Sequence, residues 1–269
     1  MSDSPLTHGW EPGCPADDSL LRRFVLASAD RGEVLARAAG GRADRWAELA
    51  VSDPASPVLF DNAAVLLQPP TLVDLDDVVA RMLEWYPADR HVVLLSAWPT
   101  PDLSGHGLEL MGHPPLMFRP TGGGAPDLPA GLEVVRVETP AHLTDFLDTI
   151  VDAYPMPDAG GSPLGAAAML TEASIRLFVG YLYGAPVATA GSSVEHGVID
   201  VEWVACRPEA RGRGIGAALT WAATLVEPEL PAVLIASDDG QPVYEAMGFV
   251  RLLRLTMWHR PPPVRPSVS

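Results

Sequence analysis

Between Arg211 and Gly216 the chain reads Arg-Gly-Arg-Gly-Ile-Gly, a spacing suited to holding an anion. Glycines at Gly212, Gly214 and Gly216 let backbone N–H groups approach a ligand with no Cβ in the way. The stretch stands between an apolar strand and an amphipathic helix, whose first turn adds unpaired N–H groups and the positive end of the helix dipole. A pyrophosphate fits such a cradle, and Arg211 and Arg213 could add cationic contacts. Taken alone, a surface strand-to-helix turn with incidental glycines accounts for the loop equally well. Two other phosphate chemistries are excluded. Dinucleotide folds carry GxGxxG at the start of a βαβ unit, whereas here GxGxG follows three antiparallel strands. The 18 basic residues are all arginine, so neither a Walker lysine nor a Schiff-base lysine exists. Cys14 and Cys206 lie far apart, none of the 7 histidines has a metal-like partner at close spacing, and no metal is expected.

Periodicity predicts the elements that position the loop. Residues 132–137 alternate as a strand. Thr139 reads as a helix N-cap with Pro140 behind it, and Leu143, Phe146, Leu147, Ile150, Val151 and Tyr154 form one apolar stripe. A second short helix starts at Ser162-Pro163. Strands follow at 175–183, 186–194 and 198–206, with turns at Gly184 and Gly197. Ile215, Ala218, Leu219, Ala222 and Val226 mark the helix after the loop. Then come a strand at 233–237, a short helix at 241–247 ended by Gly248, and a strand or pair of strands over 249–259. In the first half, Leu21, Phe24, Val25 and Ser28 keep helical spacing, and 33–39 and 42–51 read as helical too. Residues 60–67 and 91–97 read as buried strands on either side of a helix carrying Leu75, Val78, Val79, Met82, Leu83 and Tyr86. Residues 116–119 form a further short strand, and Thr121 to Gly131 reads as a linker.

At one strand end stands Val204-Ala205-Cys206-Arg207-Pro208, then Arg211-Gly212-Arg213-Gly214-Ile215-Gly216, and further on Val243-Tyr244-Glu245-Ala246-Met247-Gly248-Phe249. In this order, and within the elements above, the motifs resemble the GCN5-related N-acetyltransferase (GNAT) superfamily, whose loop is R/Q-x-x-G-x-G/A. The resemblance covers residues 131–261. It implies the acyl-CoA N-acyltransferase fold, an α/β (α+β) arrangement with a mixed, mostly antiparallel central sheet. It also implies acetyl-CoA or another acyl-CoA as cosubstrate and a primary amine as acceptor. In the family the strand matching Val204 splays from the next one. The pantetheine arm then lies against Val204, Ala205 and Cys206, and an N–H near Val204 polarises the thioester carbonyl. The pyrophosphate falls on Arg211 to Gly216. Ser237 stands where many members carry an asparagine near the cofactor.

The family's tyrosine that protonates the leaving thiolate matches Tyr244, for which a core aromatic is the plainer role. Asp200 and Glu202 share a strand face, and either could take the amine proton. Glu202 is nearer the thioester; a solvated strand edge explains both as well. Trp203 is expected on the opposite face, in the core. Cys206 reads as a small packed residue rather than a covalent carrier. Tyr154 and Met156 are candidates for the acceptor pocket, with core packing the alternative for Tyr154. The alternative to an enzyme is a non-catalytic acyl-CoA sensor or interaction module on the same fold.

Segments 91–120 and 232–261 run alike, each an apolar strand, a polar turn, a short helical piece ending Met-Gly, and a strand ending Arg-Pro. The first half thus reads as a degenerate second copy, with chance similarity of two α/β units as the alternative. Gln68-Pro69-Pro70-Thr71 replaces its glycine loop, so this copy is expected not to hold coenzyme A and to pack on the catalytic half or shape its acceptor site. The expected organisation is a disordered segment 1–15, a degenerate domain 16–120, a linker 121–130, a catalytic domain 131–261 and a disordered tail 262–269. A length of 269 residues suits two domains, and 48% hydrophobic residues supply their cores. No apolar run reaches membrane-spanning length, and the opening MSDSPLTHGWEPG lacks the features of a signal peptide. A net charge of −16 argues against nucleic acid and weakly favours cationic acceptors. The expectation is a cytoplasmic, disulfide-free enzyme acting on a small-molecule or protein amine, without membrane or nucleic-acid partners. A homodimer is left open.

Overall fold

The computed structural model describes residues 19–154 and 161–261. Expectations for Met156, for 1–15 and for the tail 262–269 fall outside them. The first half contains α1 (Leu20–Ala38), β1 (Arg42–Arg45), β2 (Leu49–Asp53), β3 (Ala63–Leu66), α2 (Leu75–Trp85), β4 (Val92–Ser96), β5 (Glu109–Gly112) and β6 (Pro115–Arg119). The second contains β7 (Leu132–Arg136), α3 (Pro140–Ala153), β8 (Ile175–Leu182), β9 (Ala185–Glu195), β10 (Val198–Cys206), α4 (Ile215–Thr224), β11 (Ala232–Ile235), α5 (Gln241–Ala246), β12 (Val250–Arg254) and β13 (Thr256–Arg260).

Local chemistry sets several boundaries. Thr139 caps α3 by accepting from the His142 N–H at 3.2 Å, with Pro140 first in the helix. Helix α1 stops before Gly40, whose φ is 68°. At Gly41 a Cβ would lie 2.3 Å from the Asp53 carbonyl oxygen, so the chain turns sharply into a hairpin. Residues 42–51, expected as helix, are therefore β1 and the start of β2. Every residue of β2 is buried, covered on both faces, which a helical stripe does not require. Likewise Met111-Gly112, expected to end a helical piece, lies in β5. The helical piece is only a single turn of 3-10 helix at Ser104–His106, and Ser162-Pro163 likewise opens a 3-10 turn, Pro163–Gly165.

Two sheets result. One has the order β1-β2-β3-β4-β13-β5 and the other β12-β6-β11-β10-β9-β8-β7. In each, one parallel pair (β3 with β4, β10 with β11) is joined by a crossover helix (α2, α4), and every other pairing is antiparallel. The halves are thus two copies of one topology, with β7 added to the second. Their penultimate positions are exchanged. β6 from the first half sits between β11 and β12, and β13 from the second sits between β4 and β5.

Chain chemistry accounts for the exchange. A tight hairpin needs two loop residues, commonly with positive φ. Only Leu255 separates β12 from β13, so β13 cannot fold back on its predecessor. Between β5 and β6 stand His113 and Pro114, followed by Pro115, and proline holds φ near −65°. Both segments therefore run on into the neighbouring sheet. Where they pass, the Leu255 N–H donates to the Pro114 carbonyl at 3.0 Å, and the Arg254 guanidinium donates to the His113 carbonyl at 2.7 Å.

The cores follow this plan. Leu75, Val79 and Met82 of α2 pack on one face of the first sheet; Ile215, Ala218 and Leu219 of α4 pack on one face of the second. Phe24, Val25 and Ala27 of α1 join Ala50, Val65 and Leu95 of the first sheet to Val198 and Val233 of the second. The first half therefore packs on the second through α1. Among the described residues no helix is long and apolar enough to cross a membrane. Because each sheet holds a strand of the other half, a single proteolytic nick within the exposed segment 121–128 should leave the two fragments associated. Size-exclusion chromatography of the nicked protein in native buffer checks this, and separate fragment peaks would contradict it.

Candidate active site

The site is built on an irregularity in β10. Its register with β9 runs through Glu202 opposite Gly191 and resumes only at Ala205 opposite Thr189. Its parallel pairing with β11 ends at Val201 opposite Leu234. Trp203 and Val204 thus lie outside both ladders, and beyond Val201 the strands part. Trp203 has φ of 55°, an unusual backbone for a bulky residue, which this bulge stores. Gly191 makes room for it, since a Cβ there would lie 2.6 Å from the Trp203 ring. Gly191 is the register partner of Glu202, so Trp203 shares the Glu202 face rather than the opposite one expected from strict alternation. A glycine inside an otherwise alternating strand was the signal for this feature.

Beyond the bulge the chain enters the glycine loop. Gly212 and Gly214 have φ of 71° and 75°, and Gly214 is the N-cap of α4 with no side-chain cap bond. Among the described residues the N–H groups of Arg213 to Ala217 have no backbone acceptor. A Cβ at Gly212 or Gly216 would meet nothing within 4 Å, and no acidic residue stands in the first turn. Donors, dipole and space therefore suit an anion. The loop is braced from behind. The Arg211 guanidinium donates to the carbonyls of Cys206 and Ala153 at 3.0 Å each, and Arg207 pairs with Asp152 at 2.9 Å. Arg211 is thus committed to backbone carbonyls at the end of α3, while Arg213 is exposed.

Three more side chains converge near Val204. The Tyr154 ring is 44% exposed, so it is not core; its hydroxyl donates to the Val204 carbonyl at 2.7 Å. Desolvation of that hydroxyl raises its pKa, with Glu202 adding and Arg211 opposing. Tyr244 is half-buried beside Phe249, and its phenol is pushed up to about 12, first by burial and then by Tyr154 and Glu202. Cys206 is half-buried, and burial raises its thiol, as suits a packed residue. Ser237 is exposed, and its hydroxyl accepts from the Gly240 N–H at 3.0 Å at the start of α5.

The carboxylates are not a solvated edge. Asp200 is fully buried and pairs with Arg31 of α1, whose other guanidinium nitrogen lies 3.0 Å from Glu202 Oε1. No sequence signal pointed to Arg31, 169 residues away.

Residues 146–249 match the acetyltransferase (GNAT) family. Over that stretch the chain is similar to a GNAT domain. A GCN5-related N-acetyltransferase from Kribbella flavida is 22% identical, over 88% of this chain and 96% of its own, with a TM-score of 0.62. One from Sphaerobacter thermophilus is 16% identical over 90% and 95%, with a TM-score of 0.55. A tandem GNAT protein from the clavulanic acid biosynthesis pathway is 17% identical over 78% and 77%, with a TM-score of 0.50. At these identities the likeness concerns the fold, which here is a tandem. No curated protein matches the sequence.

At the matching place in the first half the GNAT-like features are absent from the described residues. The β2–β3 ladder, which corresponds to β9–β10, stays in register from Leu49 opposite Leu66 to Ser52 opposite Ala63, with no bulge. Helix α2 is capped by the Asp74 carboxylate, with Asp76 and Asp77 in its first turn, where an anion would otherwise bind. Two cavities on the side of the first sheet lie away from the glycine loop. One of about 550 Å³ lies at Thr100, Glu109 and Trp258, and one of about 260 Å³ at Glu48, Asp74 and Arg81.

Burial raises the Asp200 carboxyl above the ordinary range, against the pull of Arg31 and with the push of Glu202. A carboxyl that holds its proton more tightly when folded stabilises the fold below its unfolded pKa. That contribution is lost as pH rises through the folded value. Relative to Asp200→Asn, the wild type should therefore lose Tm as pH rises from about 4 toward neutrality. Thermal melts across that range check the slope, and a difference growing in favour of the wild type would contradict it.

Proposed function

We propose that this protein is an N-acetyltransferase that moves an acetyl group from acetyl-CoA to a primary amine by direct attack in a ternary complex. The observation that carries the reading is the bulge at Trp203 and Val204 standing directly before the uncapped start of α4. The free N–H groups from Arg213 to Ala217 would hold the diphosphate. The open edge at Val204 to Cys206 would pair with the pantetheine amides, once Tyr154 yields the Val204 carbonyl. The thioester supplies an activated acyl carbon. The amine nitrogen bonds to that carbon and the C–S bond breaks. The amine's proton passes to Glu202, and the departing sulfur takes a proton from Tyr244. With its pKa near 12, Tyr244 stays protonated at neutral pH, as a donor must. No enzyme nucleophile is needed, which leaves Cys206 a packing role. The working unit would be residues 131–261 completed by β6, acting in the cytoplasm on a small-molecule or protein amine. The net charge of −16 suits a cationic acceptor.

Calorimetry with acetyl-CoA, followed by thiol release across a panel of primary amines, tests the reading. Gly214→Glu places a side chain at positive φ and a negative charge in the cradle. It should weaken acetyl-CoA binding about 100-fold, equivalent to about 2.7 kcal/mol. Tyr244→Phe should lower kcat by about 100-fold with little change in acetyl-CoA affinity. Unchanged affinity in Gly214→Glu would falsify the cofactor assignment. Binding without turnover on any amine, with no effect of Tyr244→Phe on slow hydrolysis, would instead identify a sensor.

A further inference from the structure

We propose that Arg31 is a positioning residue for acyl transfer, supplied by the first half of the chain to the site of the second. This rests on the acyltransferase reading above. The Arg31 guanidinium is 14% exposed and spans two carboxylates, bonding Asp200 with one nitrogen and lying 3.0 Å from Glu202 Oε1 with the other. Its planar fork reaches both at once, hydrogen-bonded to Asp200 and at ion-pair distance from Glu202, whose Oε1 has no hydrogen bond among the described residues, and a single ammonium would not present two such arms. Asp200 anchors the fork from within. It is fully buried in a central strand, and its second oxygen has no partner among the described residues.

Glu202 is the last residue of β10 in register before the bulge, so strand pairing beyond it does not orient its side chain. Among the described residues the neighbours on that face offer no second cation. Gly191 lies opposite Glu202, Ser193 lies opposite Asp200, and Ser28 sits one helical turn before Arg31. Tyr154 and Tyr244 supply hydroxyls. Arg31 is thus what aims the Glu202 carboxylate toward the acyl-transfer point beside Val204. Because Arg31 rides on α1, the docking of the first half becomes a condition of catalysis, although that half lacks a cradle of its own.

The test is a double-mutant cycle on the full chain, using acetyl-CoA and the amine that turns over fastest. Arg31→Met should lower kcat about 100-fold while acetyl-CoA affinity stays within about twofold. Glu202→Gln should lower kcat at least as much. The double variant should be no slower than Glu202→Gln alone, because Arg31 acts through that carboxylate. Arg31→Lys should restore only part of the loss. If Arg31→Met does not fold, pairing it with Asp200→Asn removes the unpaired buried charge and still releases Glu202. A double variant slowed by the product of the two single effects would overturn the proposal. So would an Arg31→Met protein with lowered Tm and unchanged kcat, which is the signature of a packing contact. A wild type that transfers to no amine would remove the acyltransferase reading itself, and this proposal with it, before any variant is made.

Discussion

Leu255 stands alone between two strands, and His113-Pro114 stands between two others. At these two places the chain crosses from sheet to sheet, and the crossings hydrogen-bond to each other. The rest of the architecture depends on this exchange. Without β6, β11 would be an open edge and β12 would have no partner; without β13, the same holds for β4 and β5. The exchange also reaches the site. Arg119, at the end of β6, donates to the Met247 carbonyl at 3.1 Å and stacks over the Trp221 ring at 4.5 Å. A first-half residue thereby braces both α5, which carries Tyr244, and α4, which opens the glycine loop.

Once the halves are interlocked, α1 has a fixed place between the sheets, and successive turns of it serve different purposes. Phe24, Val25 and Ala27 fill the apolar seam. One turn further on, Arg31 meets the carboxylates of β10. A buried ion pair of this kind adds little net stability but costs about 3–5 kcal/mol if one partner is lost. It ties α1 of the first half to β10 of the second. β10 is closed where β11 pairs with it and open where Trp203 bulges out, so charge and binding edge are adjacent along one strand.

The two halves show how one topology can keep its scaffold and lose its chemistry. A regular β2–β3 ladder stands in place of the bulge, and an aspartate cap in place of the bare glycine N-terminus. Neither change disturbs the packing of α2, because Asp74, Asp76 and Asp77 are exposed while Leu75, Val78, Val79 and Met82 carry the buried face. What the first half retains is its hold on the second.

The sequence by itself determined whatever depends on neighbours along the chain. The Thr139-Pro140 helix start, the glycine loop and its uncapped helix, the alternation of β8 and the apolar stripe of α2 are all short-range properties. Their chemistry is complete within a few residues. The repeat was legible too, since both copies keep the same order of elements. Tertiary structure alone decided the partners of β6 and β13, because a strand's pattern states which face is buried and not which sheet receives it. It also decided the hairpin at 42–51, where the packing of α1 against β2 overrode a weak helical periodicity. The side of the strand taken by Trp203 hung on a bulge that a glycine in β9 permits, and the Arg31 pair joined residues with no sequence relation. Those outcomes come from long-range burial, which places charges and edges together only when the whole chain has closed.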